Sequence, residues 1–422
     1  MNTGKRWLYL ATATVTLLFL GLIYAWSIFR TPFGEIFPDW TVSQMSMTFT
    51  ISMIFFCLGG FVGGLLSKRL PVKVRMFISA VMLFVGFFVV SMVNPDNPSG
   101  SLTMLYIFYG VFGGGGVGLA YNVIIGTLNK WFPDKIGLAS GIMLMGFGLG
   151  GLALGSVVSI MIGSIGLLST FKILGIAIGV VCVISAAIIR DPDASESSEL
   201  ASLKAAALAS AGSDTAAEAP ADTSAQPDYS AGEMLKTSRF WFFTLWAILL
   251  NSAGLLVINS AANIAVAFGG TAVLGMIVSL FNGAGRIVAG NNFDKMGRKK
   301  STFINLLFMV AAGVLLTLGG ISGKFIFIML GLIFVGLSYG GCPTITSAYI
   351  NKAFGARNFP TNFSIANFSL IFAATIGPTV SSKLLEAAGG SYNTNFYAIL
   401  AFSAAAFVMW LLLNGASKGT ND

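Results

Sequence analysis

The sequence predicts an all-α membrane protein with twelve transmembrane helices in two pseudo-symmetric six-helix halves. Three observations support this fold class: a composition that is 55% hydrophobic and only 9% charged, long apolar runs that recur along the chain, and an internal repeat. Soluble domains carry about 25% charged residues, so the few charged side chains here cannot cover a soluble surface. The composition therefore disfavours a large soluble enzyme and a nucleic-acid binder, despite a net charge of +8.

Twelve apolar runs reach the length of about 20 residues that a spanning helix needs. They lie near residues 7–29, 44–66, 76–94, 102–129, 137–163, 168–189, 240–266, 271–293, 301–320, 325–350, 358–382 and 391–414. The polar segment in the middle is rich in Ala, Ser, Asp, Glu and Pro, and it cannot bury enough apolar surface to fold alone. We therefore expect an N-terminal half (1–189), a flexible cytoplasmic linker (190–238) and a C-terminal half (239–422).

The two predicted halves share a short repeat. Asn129-Lys-Trp-Phe132 ends the fourth run and Asn351-Lys-Ala-Phe354 ends the tenth. A basic loop at residues 67–75, after the second run, is matched by residues 294–300 after the eighth. Two similar six-helix halves are a recurring plan of membrane transporters.

The basic side chains fall mainly on one side of the predicted membrane. Nineteen of the 24 Lys and Arg residues lie in segments on the side of the N-terminus, and four lie on the other side: Arg30, Lys172, Lys324 and Lys383. Basic loops remain cytoplasmic. The sequence therefore predicts a multi-pass protein of the plasma or inner membrane with both termini in the cytoplasm.

One basic residue, Arg286, lies inside the eighth apolar run. An arginine at the centre of a spanning helix costs about 2.5–3.5 kcal/mol on insertion scales, and residues placed at that cost usually face a cavity. The guanidinium offers a bidentate fork to a carboxylate and stays charged when buried. Asn282 lies four residues earlier on the same helix face and is a candidate to orient it. The alternative is an arginine that snorkels to the inner interface, about seven residues away.

A loop motif follows the eighth run. Gly290-Asn-Asn-Phe-Asp294-Lys-Met-Gly-Arg298-Lys-Lys resembles the loop signature of the major facilitator superfamily. The resemblance implies that Gly290 packs closely at a helix end, and that Asp294 and Arg298 belong to a charge network that holds one conformation. The copy in the first half is degraded, with Ser67 where the acid would stand.

A narrower resemblance covers both halves. Lys130-Trp-Phe-Pro-Asp134-Lys-Ile-Gly-Leu-Ala-Ser-Gly141, Tyr24-Ala-Trp26 and Leu280-Phe-Asn282-Gly-Ala-Gly-Arg286 are similar to stretches of the oxalate/formate antiporter family, in the monocarboxylate transporter branch of that superfamily. The resemblance implies a carrier of small carboxylates in which Arg286 binds the substrate. It also places Asp134 in the loop that enters the fifth helix, where a gating role is expected.

The chain departs from this family at one informative position. Oxalate-transporting members carry a second cation, a lysine in the eleventh helix, and alignment puts Ala366 at its place, with Asn367 beside it. A single central cation balances one carboxylate, whereas a dicarboxylate leaves a net charge in a low-dielectric site. We therefore expect a small monocarboxylate of the L-lactate, pyruvate or formate type; the alternative is an oxalate:formate-type antiporter.

The coupling mode stays open between proton symport and exchange. Some animal monocarboxylate transporters place an aspartate where Asn282 stands, and all 16 acids of this chain lie outside the helix centres. The chain has no histidine, so a proton relay of the usual kind is not expected. An empty site with an exposed Arg286 should also reorient poorly, which favours exchange.

Further residues are candidate substrate contacts, and the alternative for each is a role in packing. Tyr121 and Tyr339 are candidate phenol donors, and Tyr24, Asn367 and Phe363 complete the predicted site. The glycine run 113–118 is expected to pack against Gly146, Gly150 and Gly155 of the fifth helix.

No catalytic constellation, cofactor or metal cluster is expected, because histidine is absent and the three cysteines lie apart in apolar runs. We expect a monomer in the lipid bilayer. Its expected substrate is a small carboxylate, protons are a candidate co-substrate, and no nucleic acid is expected as a partner. A membrane sensor and a channel are rivals that the polar linker and the single central arginine disfavour.

Overall fold

The computed structural model describes residues 3–211, 228–258 and 260–417, and every regular element in these ranges is helical. Two compact units are formed: unit 1 comprises residues 1–131 and 146–197, and unit 2 comprises residues 132–145 and 198–422. Each is described by itself below.

Unit 1 contains the helices of the first half of the chain. They are α1 (Thr3–Leu20), a 3-10 segment (Gly21–Ala25), α2 (Trp26–Ile36), α3 (Val42–Leu66), α4 (Val72–Val90), α5 (Pro98–Met104), a π-helical segment (Leu105–Gly113), α6 (Gly114–Trp131), most of α7 (Ile136–Ile165) and α8 (Leu167–Ile188). The first predicted run is thus a composite of α1, the 3-10 segment and α2. The first ten residues of α7 belong to unit 2.

Unit 2 contains the helices of the second half. After α9 (Ala194–Ala211), which begins in unit 1, they are α10 (Ala231–Leu235), α11 (Ser238–Ile258), α12 (Ala261–Ala267), α13 (Ala272–Gly275), α14 (Ile277–Ser322), α15 (Phe325–Phe354), α16 (Phe359–Asn367), α17 (Ser369–Ala387) and α18 (Asn393–Ala416). Phe368 alone separates α16 from α17, so these two form the eleventh predicted span.

Eleven continuous helical stretches of the described residues are long and apolar enough to span a membrane. One of them, α14, has 46 residues, which is about 69 Å at 1.5 Å per residue and more than twice a hydrocarbon core of about 30 Å. Gly297 breaks it with φ 72° and ψ 180°, a conformation that favours glycine. Because α14 supplies two spans, the described residues contain the twelve that the sequence predicts.

The glycine run at the start of α6 packs on α3 and α4. A Cβ added to Gly114 would lie 2.3 Å from the carbonyl oxygen of Ser52, and one added to Gly118 would lie 1.9 Å from that of Phe56. The expectation that this run packs against the fifth spanning helix is therefore wrong. Gly146 and Gly150 of that helix instead face α1. Repeating glycines identify a close crossing but do not identify the partner helix.

The predicted linker contains a helix, α9, whose first turn is tied to unit 1. The Glu196 carboxylate accepts hydrogen bonds from Arg190 at 2.7 and 2.8 Å and from Lys5 Nζ at 2.9 Å. The hydrogen bond from Arg190 is the main cause that lowers the pKa of Glu196 to about 2. Residues 212–227 of the linker lie outside the described residues.

The distal end of the linker is tied to unit 2. The Tyr229 main-chain N–H donates to the Phe354 carbonyl at 3.0 Å. The Arg239 guanidinium lies over the rings of both residues, 5.0 Å from the Tyr229 centroid and 4.8 Å from the Phe354 centroid. Cation–π contacts of this kind fix the entry of the chain into α11.

Candidate functional site

Arg286 is buried in the first span of α14, with 5% of its surface exposed. Its Nε donates to Asn282 Oδ1 at 3.3 Å, and its Nη1 donates to the main-chain carbonyl of Leu144 in α7. Asn282 and Arg286 thus lie one turn apart on one face of α14, as their spacing predicts. Both of these acceptors are neutral oxygens.

Glycines bring α7 close enough to accept this hydrogen bond. A Cβ added to Gly141 would lie 2.5 Å from the carbonyl oxygen of Arg286, and one added to Gly137 would lie 2.3 Å from that of Gly290. The helices therefore touch through their backbones over one turn, as small residues permit in membrane bundles. This crossing brings the Leu144 carbonyl within reach of the arginine.

A second glycine crossing places α15 against Asn282. A Cβ added to Gly340 would lie 2.0 Å from the main-chain oxygen of Asn282 and 2.9 Å from its Oδ1. The neighbouring Tyr339 has an electrostatic interaction with Arg286, and its ring packs against Gly254 of α11. Unit 2 therefore brings Arg286, Asn282 and Tyr339 together.

Asn367 and Phe363 lie on α16. Asn367 is the last residue of that helix and is 7% exposed, and Phe363 is fully buried and stacks on Phe359 with 5.1 Å between ring centroids. Ala366, where the family resemblance implies a lysine, is 2% exposed. The stacking gives Phe363 a packing role in unit 2.

Tyr24 and Tyr121 meet in unit 1 on Phe147 of α7. The ring centroids of Tyr24 and Phe147 are 5.3 Å apart, and those of Tyr121 and Phe147 are 4.9 Å apart. Phe56 of α3 closes the cluster at 5.1 Å from Tyr121. Such pairs are stable edge-to-face or offset contacts, so Tyr24 and Tyr121 belong to one aromatic cluster.

Sequence reasoning missed Tyr109, which joins two irregular helical segments. Tyr109 lies in the π-helical segment and is 1% exposed, and its Oη donates to the carbonyl of Ile23 in the 3-10 segment at 3.4 Å. Departures from α-helical geometry inside spanning helices often mark functional sites. The 3-10 segment also contains Tyr24, so Tyr109 supports the element that presents this candidate.

Three of the predicted gating residues, Gly290, Asp294 and Asp134, lie where α14 meets the N-terminus of α7. Asp294 Oδ1 accepts from the Gly137 N–H at 2.8 Å, and Oδ2 accepts from the Leu138 N–H at 2.7 Å. Gly290 contacts Gly137, and Asp134 interacts electrostatically with Asp294. These three residues therefore share one corner of unit 2.

Arg298, by contrast, faces the last helix. Its Nη1 donates to Asn414 Oδ1 of α18 at 3.0 Å, and the residue is 5% exposed. The part of the chain that the structure describes contains no group of three His, Cys, Asp or Glu side chains that could hold a metal ion. A buried guanidinium such as that of Arg286 is able to bind an anion.

Twelve spanning helices, six in each half of the chain, follow the plan of many secondary transporters. The sequence model of the Major Facilitator Superfamily matches residues 7–357 and 241–421, and the chain therefore belongs to that superfamily. This membership confirms the predicted fold class. The protein is a membrane-spanning transporter.

Two relatives extend over most of the chain. The oxalate:formate antiporter of Oxalobacter formigenes is 27% identical over 421 residues, which cover 96% of this chain and 92% of the relative. The uncharacterized MFS-type transporter YhjX of Escherichia coli (strain K12) is 25% identical over 365 residues, which cover 85% and 83%. The predicted resemblance to oxalate/formate antiporters is therefore confirmed by a relative that is 27% identical to this chain.

Solved structures share the fold. The proton:xylose symporter XylE bound to 6-bromo-6-deoxy-D-glucose matches with a TM-score of 0.74 and 16% identity over 98% of this chain and 96% of its own. The fucose:proton symporter FucP of E. coli matches with a TM-score of 0.62 and 13% identity over 97% and 99%. At these identities the likeness concerns the fold alone.

Proposed function

We propose that this protein carries small carboxylates across the inner membrane by alternating access and that Arg286 binds the carboxylate. The observation that supports this most directly is a guanidinium buried in a spanning helix, with hydrogen bonds to the neutral oxygens of Asn282 and Leu144. A carboxylate would accept charge-assisted hydrogen bonds from this guanidinium, and these are stronger than hydrogen bonds to neutral oxygens.

Substrate binding is coupled to conformational change through the Leu144 carbonyl. A carboxylate accepts stronger hydrogen bonds from a guanidinium than a neutral carbonyl does, so an arriving substrate displaces Leu144 from Arg286 Nη1. The displacement removes one of the ties between α7 and α14, while the Asp294 cap remains. Loading the site thereby favours movement of α7, as alternating access requires.

A monocarboxylate is the substrate that the charge balance favours. One arginine neutralises one carboxylate, and Ala366 supplies no second cation in the apolar interior. Oxalate would leave a net negative charge in a low-dielectric site, which costs several kcal/mol unless it is paired. Formate, L-lactate and pyruvate meet the requirement.

Oxalate:formate-type exchange is the second candidate, and the 27% identical antiporter of O. formigenes favours it. In this case neutral donors would have to hold the second carboxylate. The Asn367 amide and the Tyr339 phenol are the candidates that unit 2 offers. Hydrogen bonds from neutral groups only partly replace a cation.

We propose exchange as the coupling mode. Asn282 stands where a proton-carrying aspartate would be expected, and its Oδ1 accepts from Arg286. In the empty carrier the hydrogen bond from Arg286 to Leu144 ties α7 to α14, and substrate replaces this bond, so the loaded carrier reorients faster than the empty one. A proton gradient is then not required for turnover, although protonated substrate remains a candidate co-transport route.

Uptake into proteoliposomes tests the proposal. Labelled formate, L-lactate, pyruvate and oxalate are offered with and without internal counter-substrate and with and without a pH gradient. We expect rapid monocarboxylate uptake that depends on internal substrate and is abolished in Arg286→Gln. Full uptake by a folded Arg286→Gln variant would contradict the site, and oxalate uptake equal to that of formate would favour the second candidate.

A further inference from the structure

An apolar groove runs along the outside of unit 1 between α4 and α8. It encloses about 340 Å³ and is lined by apolar residues only, among them Val81, Phe84, Ile176, Val180 and Ile184. Between 39% and 51% of the surface of these five side chains is exposed. In a spanning bundle such a surface faces lipid.

Gly179 forms the floor of this groove. A Cβ added there would lie 3.3 Å from the Cβ of Phe84, so a larger side chain at this position projects into the groove. The concave shape is therefore set by one glycine between two rows of branched and aromatic side chains. A flat lipid-facing surface would not hold one acyl chain in preference to its neighbours.

A lysine stands at one end of the groove. Lys172 precedes Ile176 by one turn of α8, and its Nζ lies 5.7 Å from the ring centroid of Phe88. Phe88 stacks on Phe84 at 5.1 Å, and Phe84 lines the groove. The Lys172 ammonium, the Phe84–Phe88 pair and the apolar groove thus form one continuous surface.

The spacing along α8 matches the depth of one leaflet. Lys172 is the sixth residue of the helix, and the groove extends from Ile176 to Ile184, about 6 to 18 Å further along the axis at 1.5 Å per residue. Half of the hydrocarbon core is about 15 Å thick. A cation at headgroup level with an apolar groove below it is complementary in charge and shape to an anionic phospholipid.

We propose that this surface binds one anionic phospholipid, with its phosphate on Lys172 and one acyl chain in the groove over Gly179. The anionic headgroup follows from the lysine, which attracts negative lipid at the membrane surface. The chain follows from the wholly apolar lining. This binding site is independent of the substrate that the transporter carries.

Native mass spectrometry of the full-length protein tests the site. Delipidated wild type, Lys172→Gln and Gly179→Leu are titrated with phosphatidylglycerol and phosphatidylethanolamine of identical acyl chains. We expect wild type to bind one phosphatidylglycerol about fivefold more tightly than phosphatidylethanolamine, as one surface lysine predicts. Lys172→Gln should lose the preference, and Gly179→Leu should lose the bound lipid.

Matched variants separate the site from general lipid binding. Lys324→Gln removes another predicted outer lysine, and Gly163→Leu enlarges an exposed glycine with no atom within 4 Å of an added Cβ; both should behave as wild type. Equal binding of the two lipids by wild type would overturn the proposal. So would phosphatidylglycerol binding that persists in both site variants, or a dimer that Gly179→Leu disrupts without any bound lipid. If Gly179→Leu does not fold, the two lysine variants test the proposal. Both Lys172→Gln and Lys172→Glu should lose the preference for phosphatidylglycerol, and a preference that persists in both would overturn it.

Discussion

Asp294 caps the N-terminus of α7 by accepting the main-chain N–H groups of Gly137 and Leu138 at 2.8 and 2.7 Å. These donors belong to the first turn of α7, where N–H groups have no partner inside the helix. A carboxylate there also faces the positive end of the helix dipole. The loop motif for which a gating role is predicted thus contacts the N-terminus of α7 through the Asp294 side chain.

Removing the charge of this cap should loosen α7 from α14. Asp294→Asn retains one acceptor but loses the ionised oxygen, and caps of this kind are worth about 0.5–2 kcal/mol. Spin labels at Lys135 and Lys295, in a background without cysteine, should report a broader distance distribution in the variant than in the parent. Asp96→Asn, in a remote loop, is the control. An unchanged distribution would show that the cap does not hold the helix.

The hydrogen bond from Arg286 to Asn282 predicts that two substitutions impair transport to different degrees. Asn282→Ala removes an acceptor and should raise the KM for carboxylate about fivefold, since one hydrogen bond to a charged group is lost. Asn282→Asp places a carboxylate beside the guanidinium, which then competes with substrate and should lower uptake further. Initial uptake rates over a range of substrate concentrations measure both. A KM for Asn282→Asp equal to that of wild type would exclude Asn282 from the site.

The backbone contact between α7 and α14 should not tolerate a side chain at Gly141. Gly141→Leu forces the helices apart at Arg286, and overpacking of this kind costs about 1–3 kcal/mol. We expect a lower Tm in detergent and slower uptake, whereas Gly163→Leu at an open position on the same helix should leave both unchanged. A Gly141→Leu variant with wild-type Tm would mean that the crossing is not tight.

The sequence predicted the spans and the pairing of Arg286 with Asn282 because both depend on local spacing. Apolar length identifies a span, and a separation of four residues identifies a shared helix face. The Asp294 cap could not be predicted, because Gly137 is 157 residues away and spacing carries no information on such partners. The glycine run 113–118 shows the same limit: its composition signals a close crossing, but only the fold selects α3 over α7.

A cation at position 366 should change the valence of the substrate. Ala366→Lys adds the charge that oxalate-carrying relatives are expected to provide, and two cations balance two carboxylates. We expect oxalate to become a substrate in counterflow while lactate uptake falls. Ala373→Lys, about two helical turns further along the chain and buried in α17, is the matched control for a buried lysine. If oxalate is excluded from a folded Ala366→Lys variant, charge balance does not decide the specificity.

The Glu196 anchor of α9 should weaken only in strong acid. Its folded pKa of about 2 lies below the ordinary value of 4.5, so the ion pair with Arg190 stabilises the anchor fully above about pH 4.5, and this stability is lost as the pH falls towards 2. Hydrogen exchange of α9 should therefore be protected at pH 5 in wild type. Glu196→Gln should reduce the protection by about fivefold at the same pH, because a partly exposed ion pair contributes about 1 kcal/mol. Glu386→Gln, on α17, should leave it unchanged. Equal protection in wild type and Glu196→Gln would show that other contacts hold α9 in place.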